Sequence, residues 1–211
     1  MPICSADMSN LVDRATFWFL YARQAPWDIG KPQAPFVAVA DRVVSPVLDA
    51  GCGTGENALF FAAHGHRVTG IDFLRRPIRR ARVKAAERGL RADFIVKDAM
   101  RLRDWDKRFA SVIDSGLFHV FSDDDRRRYV EGLSTVLKPG GRLFLMCFSD
   151  EEPPGKGPRR VSRQELHDAF AEGFEVELIE PSRFEANTES TDFAFSEGGP
   201  KAWFAIFRRK G

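Results

Sequence analysis

The stretch "VLDAGCGTGENA", residues 47–58, sets three alternate glycines between two acids, Asp49 and Glu56. Glycines so placed let a backbone turn come close to a ligand. A dinucleotide fingerprint spaces them G-x-G-x-x-G, so that a pyrophosphate rests on the helix N-terminus. Here they fall at Gly51, Gly53 and Gly55, and Glu56 stands where the third would be. Asp49 and Glu56 would also repel a pyrophosphate, whereas the ammonium and sulfonium of S-adenosylmethionine are attracted to them. Spacing and charge thus favour S-adenosylmethionine over a dinucleotide, with Cys52 and Gly55 in the same contacting turn.

Two more acids follow strand-like runs. Asp72 in "VTGID" lies 21 residues past Gly51, where a carboxylate accepts both hydroxyls of a ribose; either cofactor would use it. Asp98 in "VKDAM" can accept the exocyclic amine of an adenine, with Phe73 and Met100 against the ring faces. Each acid alone reads equally as a turn residue. Three acids after three successive strands, at the sheet end where such folds bind ligands, are a much less frequent coincidence. His119 in "DSGLFHVF" follows a fourth strand-like run and is the best candidate for a general base, if one is needed, with Tyr21 the weaker alternative. An orienting or packing histidine is the competing reading.

These residues need a parallel sheet to hold them. Short β-branched or aromatic runs over residues 47–49, 67–71, 93–96, 109–114 and 142–148 predict strands, and helical spacing predicts helices over 57–63, 76–88 and 123–137. Strand and helix in alternation make an α/β fold. Ser122 with Asp125 three residues on predicts the start of the third helix, and "LKPGG" its end. Before the glycine turn, residues 9–25 and 34–44 read as helices joined by "PWDIGKPQAP". After residue 148 a Pro/Gly/charged stretch, "SDEEPPGKGPRR", leads to a helix near 163–171 and to "FEVELIE" and "KAWFAIFRR", which resemble a closing antiparallel hairpin.

In order and spacing, "VLDAGCGTGENA", "VTGID", "VKDAM", "SVIDSGLFHVF" and "LKPGGRLFL" resemble the successive motifs of the class I S-adenosylmethionine-dependent methyltransferases, over residues 47–148. The resemblance implies a Rossmann-like three-layer sandwich with a seven-stranded sheet, order 3-2-1-4-5-7-6, strand 7 antiparallel. It also implies cofactor contacts at Asp49, Gly51, Gly53, Asp72, Asp98, Ala99 and Asp114 or Ser115. "FWFLYARQAPWDIGKPQAPF", residues 17–36, is similar to the N-terminal segment of thiopurine, halide or thiol, and heterocyclic-toxin methyltransferases, in which a tryptophan-glycine-proline loop folds over the donor. By that likeness Trp27 covers the donor. Trp18, Phe19 and Tyr21, with Phe118 and His119, face the acceptor, a thiol, a halide or an aromatic heterocycle. Ordinary core packing of these aromatics is the competing reading.

The rest of the chain sets bounds. With 211 residues, 44% hydrophobic and 29% charged at a net charge of +2, one cytoplasmic domain is expected, without a global drive toward nucleic acid or membrane. Its parts are an N-terminal cover over 1–45, a cofactor-binding core over 46–150 and a C-terminal loop, helix and hairpin over 151–211. Cys4, Cys52 and Cys147 form no metal or disulfide pattern, and His64 and His66 lack a third ligand, so no metal is expected. Residues 75–91 carry eight basic groups and one acid, which raises nucleic-acid binding. At helical spacing, however, Ile78, Ala81 and Ala85 share one face, leaving the arginines on a solvated one. A nucleic-acid methyltransferase and a donor-binding regulator without transfer activity remain the alternatives.

Overall fold

The computed structural model describes residue 21 and residues 25–155, 157–187 and 195–211. Trp18, Phe19, Cys4 and most of the expected N-terminal helix lie outside these residues.

The described residues form one seven-stranded sheet from β1 (Val47–Ala50), β2 (Val68–Asp72), β3 (Asp93–Val96), β4 (Phe109–Ser115), β5 (Leu137–Phe148), β6 (Phe174–Arg183) and β7 (Lys201–Arg209). Its order is β3-β2-β1-β4-β5-β7-β6. β1 to β5 run parallel, and β7 runs antiparallel to both β5 and β6. Every residue of β1 and β2 is buried, as central parallel strands covered on both faces must be. The covering helices are α1 (Ala34–Ala38), α2 (Glu56–Ala63), α3 (Arg75–Glu87), α4 (Asp123–Val136) and α5 (Arg163–Ala169). Leu59 and Phe61 of α2, Ile78, Ala81 and Ala85 of α3, and Phe36 fill one face. Tyr129, Leu133 and Val136 of α4 with Leu166 of α5 fill the other. Three layers result.

The glycine turn joins β1 to α2. Gly53 has φ +53° and Gly55 φ +89°; a Cβ would meet the Tyr21 Oη at 2.7 Å at the first and the Phe94 ring at 2.9 Å at the second. A side chain there is excluded by both conformation and space. Ser122 caps α4 as expected, its Oγ accepting from the Asp125 N–H at 3.3 Å, and three acids occupy the first turn, where the helix dipole favours them.

Three expectations are corrected. The helix expected over 34–44 is α1 followed by a separate 3-10 turn, Ala40–Arg42, because Val39 between them leaves the helical region at φ −110°, ψ 17°. α4 stops at "LKPGG" as expected, but β5 begins at Leu137, taking in that stretch, and not at residue 142. The register shifts there between Phe109 and Ser111, and Gly141 lies so close to its neighbours that a Cβ would sit 2.9 Å from the carbonyl oxygens of Ala110 and Lys138. Finally, the basic face of α3 is not merely solvated: Lys84 donates to Glu56 (2.7 Å) and Thr54 (2.8 Å), Arg88 pairs with Glu56 (2.8 Å), and Arg80 pairs with Asp28 (3.2 Å).

Candidate active site

The C-terminal ends of β1, β2, β4 and β5, with the residues after β3, open on one cavity of about 730 Å³, within the usual range for small-molecule sites. One half is walled by Trp27, Gly51, Asp72, Phe73, Asp98, Ala99, Met100 and Ser115, and Tyr21 reaches it from the N-terminal side. Eight of the expected cofactor residues therefore share a wall.

Asp49, Cys52, Gly53, Gly55 and Asp114 stand behind this wall and are not among the residues that line the cavity. Asp49 is 1% exposed and its Oδ2 accepts from the Ala58 N–H at 3.0 Å, inside the first turn of α2. Asp114 is wholly buried; its Oδ1 accepts from Leu117 N (2.8 Å) and Phe118 N (3.3 Å), and its Oδ2 from the Tyr129 hydroxyl (2.9 Å). Both carboxylates are spent on holding loop and helix ends in place. Asp72 does both jobs. Its Oδ2 accepts from Gly53 N at 3.3 Å and its Oδ1 from Leu74 N at 2.8 Å while it faces the cavity. The Asp98 Oδ1 accepts from Met100 N at 2.9 Å, capping the turn after β3.

Asp49, Asp72 and Asp114 form no ion pair among the described residues. Burial therefore lifts them, Asp49 to about 7 and Asp72 and Asp114 to about 6. Burial, then the negative charges of Asp49 and Asp72, pushes up the Cys52 thiol, and burial followed by Asp72 does the same to the Tyr21 phenol. A pocket of this sign is relieved by a cation and opposed by a phosphate. Its donor set fits a sulfonium nucleotide, as the glycine turn suggested.

Aromatic rings wall the other half. Phe148 packs against Phe184 (5.4 Å between centroids), Phe195 (5.8 Å) and His119 (4.8 Å), and Leu117, Val120 and Phe121 extend the apolar surface. His119 lines the cavity where expected. Its Nδ1 accepts from the Phe148 N–H at 2.9 Å, so the neutral ring carries its hydrogen on Nε2. Burial first, then the positive charges of Arg126 and Arg160, holds its pKa down at about 3. The Tyr21 phenol is raised by burial, and its Oη accepts from Trp27 Nε1 at 3.1 Å. Phe118 is fully buried behind the wall, against Phe170 and under the Arg126 guanidinium, instead of facing an acceptor. Phe184, Phe195 and residues 157–159 line the cavity without having been expected to. They come from the Pro/Gly/charged stretch and from the segment between β6 and β7, where no periodic signal marks a pocket.

The Methyltransferase domain family model matches residues 47–141. The 2-heptyl-1-hydroxyquinolin-4(1H)-one methyltransferase of Mycobacteroides abscessus is 35% identical, across 90% of this chain and 83% of that protein. A solved structure described for the conversion of a disulfide bond into a thioacetal group during echinomycin biosynthesis is 39% identical at a TM-score of 0.77, covering 88% of this chain and 85% of that one. The Burkholderia thailandensis 1,6-didemethyltoxoflavin-N1-methyltransferase, solved with bound 1,6-didemethyltoxoflavin and S-adenosylhomocysteine, shares the fold at 22% identity and a TM-score of 0.73, covering 100% of this chain and 93% of that one. With the sheet order, the glycine turn and the acid-walled cavity, these likenesses establish that the chain belongs to the S-adenosylmethionine-dependent small-molecule methyltransferases.

Proposed function

We infer that this enzyme moves the methyl group of S-adenosylmethionine to a sulfur, oxygen or nitrogen atom of a small, flat, largely apolar acceptor, or to a halide, by in-line displacement. The observation that carries this reading is the continuity of one cavity from the acidic wall at Asp72 and Asp98 to the aromatic wall at Phe148, Phe184 and Phe195. When bound, the donor supplies an electrophilic methyl on a cationic sulfur. Asp72 is assigned to the ribose hydroxyls, Asp98 to the adenine amine, Phe73 and Met100 to the adenine faces, and Trp27 to the cover. Asp49, Cys52, Gly53, Gly55 and Asp114 support this wall from behind. The aromatic rings exclude water and orient the acceptor, so proximity and desolvation furnish most of the acceleration.

The hydroxyquinolone named for the Mycobacteroides relative is an acceptor of this shape. The test is a labelled-donor assay with sulfide, iodide, thiophenol, a hydroxyquinolone and bulk RNA. Label in one or more of the small acceptors is expected. Label in RNA alone, or donor binding with no transfer, would replace this reading with one of the two alternatives.

A further inference from the structure

His119 is the polar group placed among the rings of the acceptor half, and its hydrogen-bonding state follows from its partner. A backbone N–H can only donate, so the bond from Phe148 N makes Nδ1 the acceptor and leaves Nε2 with the hydrogen. Among the described residues no acceptor meets Nε2, and the ring lines the cavity.

The charges acting on His119 are those of Arg126 and Arg160, and the buried Glu152 carboxylate near Arg160 is engaged by the Ser196 and Lys201 N–H groups. Arg126 of α4 is 5% exposed and lies over the Phe118 ring at 4.8 Å, with its Nε donating to the Phe118 carbonyl at 3.3 Å. Arg160 lies over the Phe148 ring at 5.5 Å. The Arg126 Nη2 and the Arg160 Nε are buried without a hydrogen-bond partner. Glu165 and Asp123 reach Arg126 only at 3.4 and 3.9 Å. The acids and bases that line this end of the cavity are already engaged: Asp125 with Arg128, Glu185 with Lys31, and Arg159 with Asp123 and Glu165. Lys97 lies over the Trp105 ring, and Asp72 and Asp98 belong to the donor wall. An N–H without an acceptor, on a ring that lines a largely apolar cavity and is backed by two incompletely paired guanidiniums, favours a negative charge at that point.

Resting on the function above, we propose that His119 is a hydrogen-bond donor that selects and holds the ionised form of the acceptor, and that the protein supplies no general base. The acceptor loses its proton to water before or on binding. Its anionic atom, held by Nε2–H, then forms a bond to the methyl carbon as the carbon–sulfur bond breaks. The electron pair of that bond passes to the sulfur, leaving S-adenosylhomocysteine and a neutral methylated acceptor. Acceptors with an acidic S–H or O–H are the class this geometry takes.

Two substitutions separate donation from packing. In H119N the amide oxygen can still accept from Phe148 N, but no donor extends to the Nε2 position; in H119Q the amide nitrogen reaches it. Thermal melts establish that each is folded. With ring-substituted thiophenols of graded acidity, the pH at which kcat/KM levels off is expected to follow the acceptor's own pKa. H119N is expected to lose about ten- to a hundredfold in kcat/KM, the worth of one hydrogen bond to a charge, and H119Q to recover most of it.

Binding gives a readout apart from turnover. With S-adenosylhomocysteine in place, bound 4-nitrophenol should show the phenolate spectrum at a pH about one unit or more lower than free 4-nitrophenol, with H119N abolishing the shift and H119Q keeping it. A levelling pH that is the same for every acceptor and disappears in both variants would make His119 a base and overturn the proposal. So would an unshifted 4-nitrophenol spectrum in the wild type. No transfer to any small acceptor would instead overturn the function on which it rests.

Discussion

Removing one ammonium, in K84M, tests whether the N-terminal cover is tied to the donor turn. The Lys84 Nζ donates to Thr54 Oγ1 (2.8 Å) and Glu56 Oε1 (2.7 Å) of the turn and reaches Asp28 Oδ1 (3.4 Å), next to Trp27 in the cover. Thr54 itself donates to Asp28 at 2.6 Å, and Arg80 and Arg88 complete the cluster. Burial works against an ionised Glu56, yet hydrogen bonds from Arg88 and Lys84 outweigh it and hold its pKa below the usual range. Methionine keeps the stem packed on α3 and deletes the charge. Asp28 and Glu56 each retain one arginine, so the loss lies between that of an exposed pair and that of a broken buried one, about 1–3 kcal/mol. For a chain of this length that is about 2–12 °C in Tm. The loosened cover should also weaken S-adenosylhomocysteine by about three- to tenfold. Urea unfolding and titration calorimetry at low and high salt read the two effects, and the wild type should lose more affinity on adding salt than K84M does. K84R should restore most of both. A K84M protein within about 0.5 kcal/mol of wild type in stability, and equal in affinity at both salt concentrations, would show that the cluster is surface charge without a latching role.

Four further outcomes are expected. Y129F takes the hydroxyl donor from the buried Asp114 carboxylate and should cost about 1–3 kcal/mol in urea unfolding; a neutral result would mean that Leu117 and Phe118 alone satisfy the acid. The folded Asp49 keeps its proton to about pH 7, whereas an unfolded one releases it near 3.8. The folded state thus binds more protons across that window, and the wild type loses stability as pH rises through it. D49N lacks this loss and should gain on the wild type from about pH 4 to about pH 7, so a constant difference in denaturation midpoint would remove the argument. In G70A the new methyl would lie 2.8 Å from the Phe94 ring and 2.9 Å from the Cys52 sulfur, and a drop of about 1–3 kcal/mol by thermal melting is expected, since both neighbours are buried. F184A should raise KM for an aromatic acceptor about tenfold while leaving sulfide nearly unchanged, and equal effects on both would show that the ring does not touch the acceptor.

Much of this molecule is local in origin and was legible in the linear chain. An apolar run ending in an acid, then three glycines and a helix, dictates a strand, a turn without side chains and a negative patch, whatever else surrounds them. That was enough to read the parallel core and a sulfonium cofactor, and the likeness of the motifs to a known family supplied the sheet order; the structure agrees on the core and the order, and the relatives on the cofactor. Several strand bounds were close too: "KAWFAIFRR" forms β7 over the whole of Lys201–Arg209.

Tertiary structure decided how each group is used. Asp49 and Asp72 are both acids at strand ends, yet one is turned into the first turn of α2 and the other onto the cavity; which way a carboxylate faces depends on where the next helix starts in space. The basic residues of α3 read as solvated because periodicity reports only what faces the sheet, and says nothing of an aspartate 56 residues before Lys84. His119 shows the division most plainly. Its type and position marked it for proton chemistry, but which nitrogen carries the hydrogen was settled by the backbone of β5, 29 residues along the chain, because a hydrogen bond is a fact of proximity and a sequence records only order.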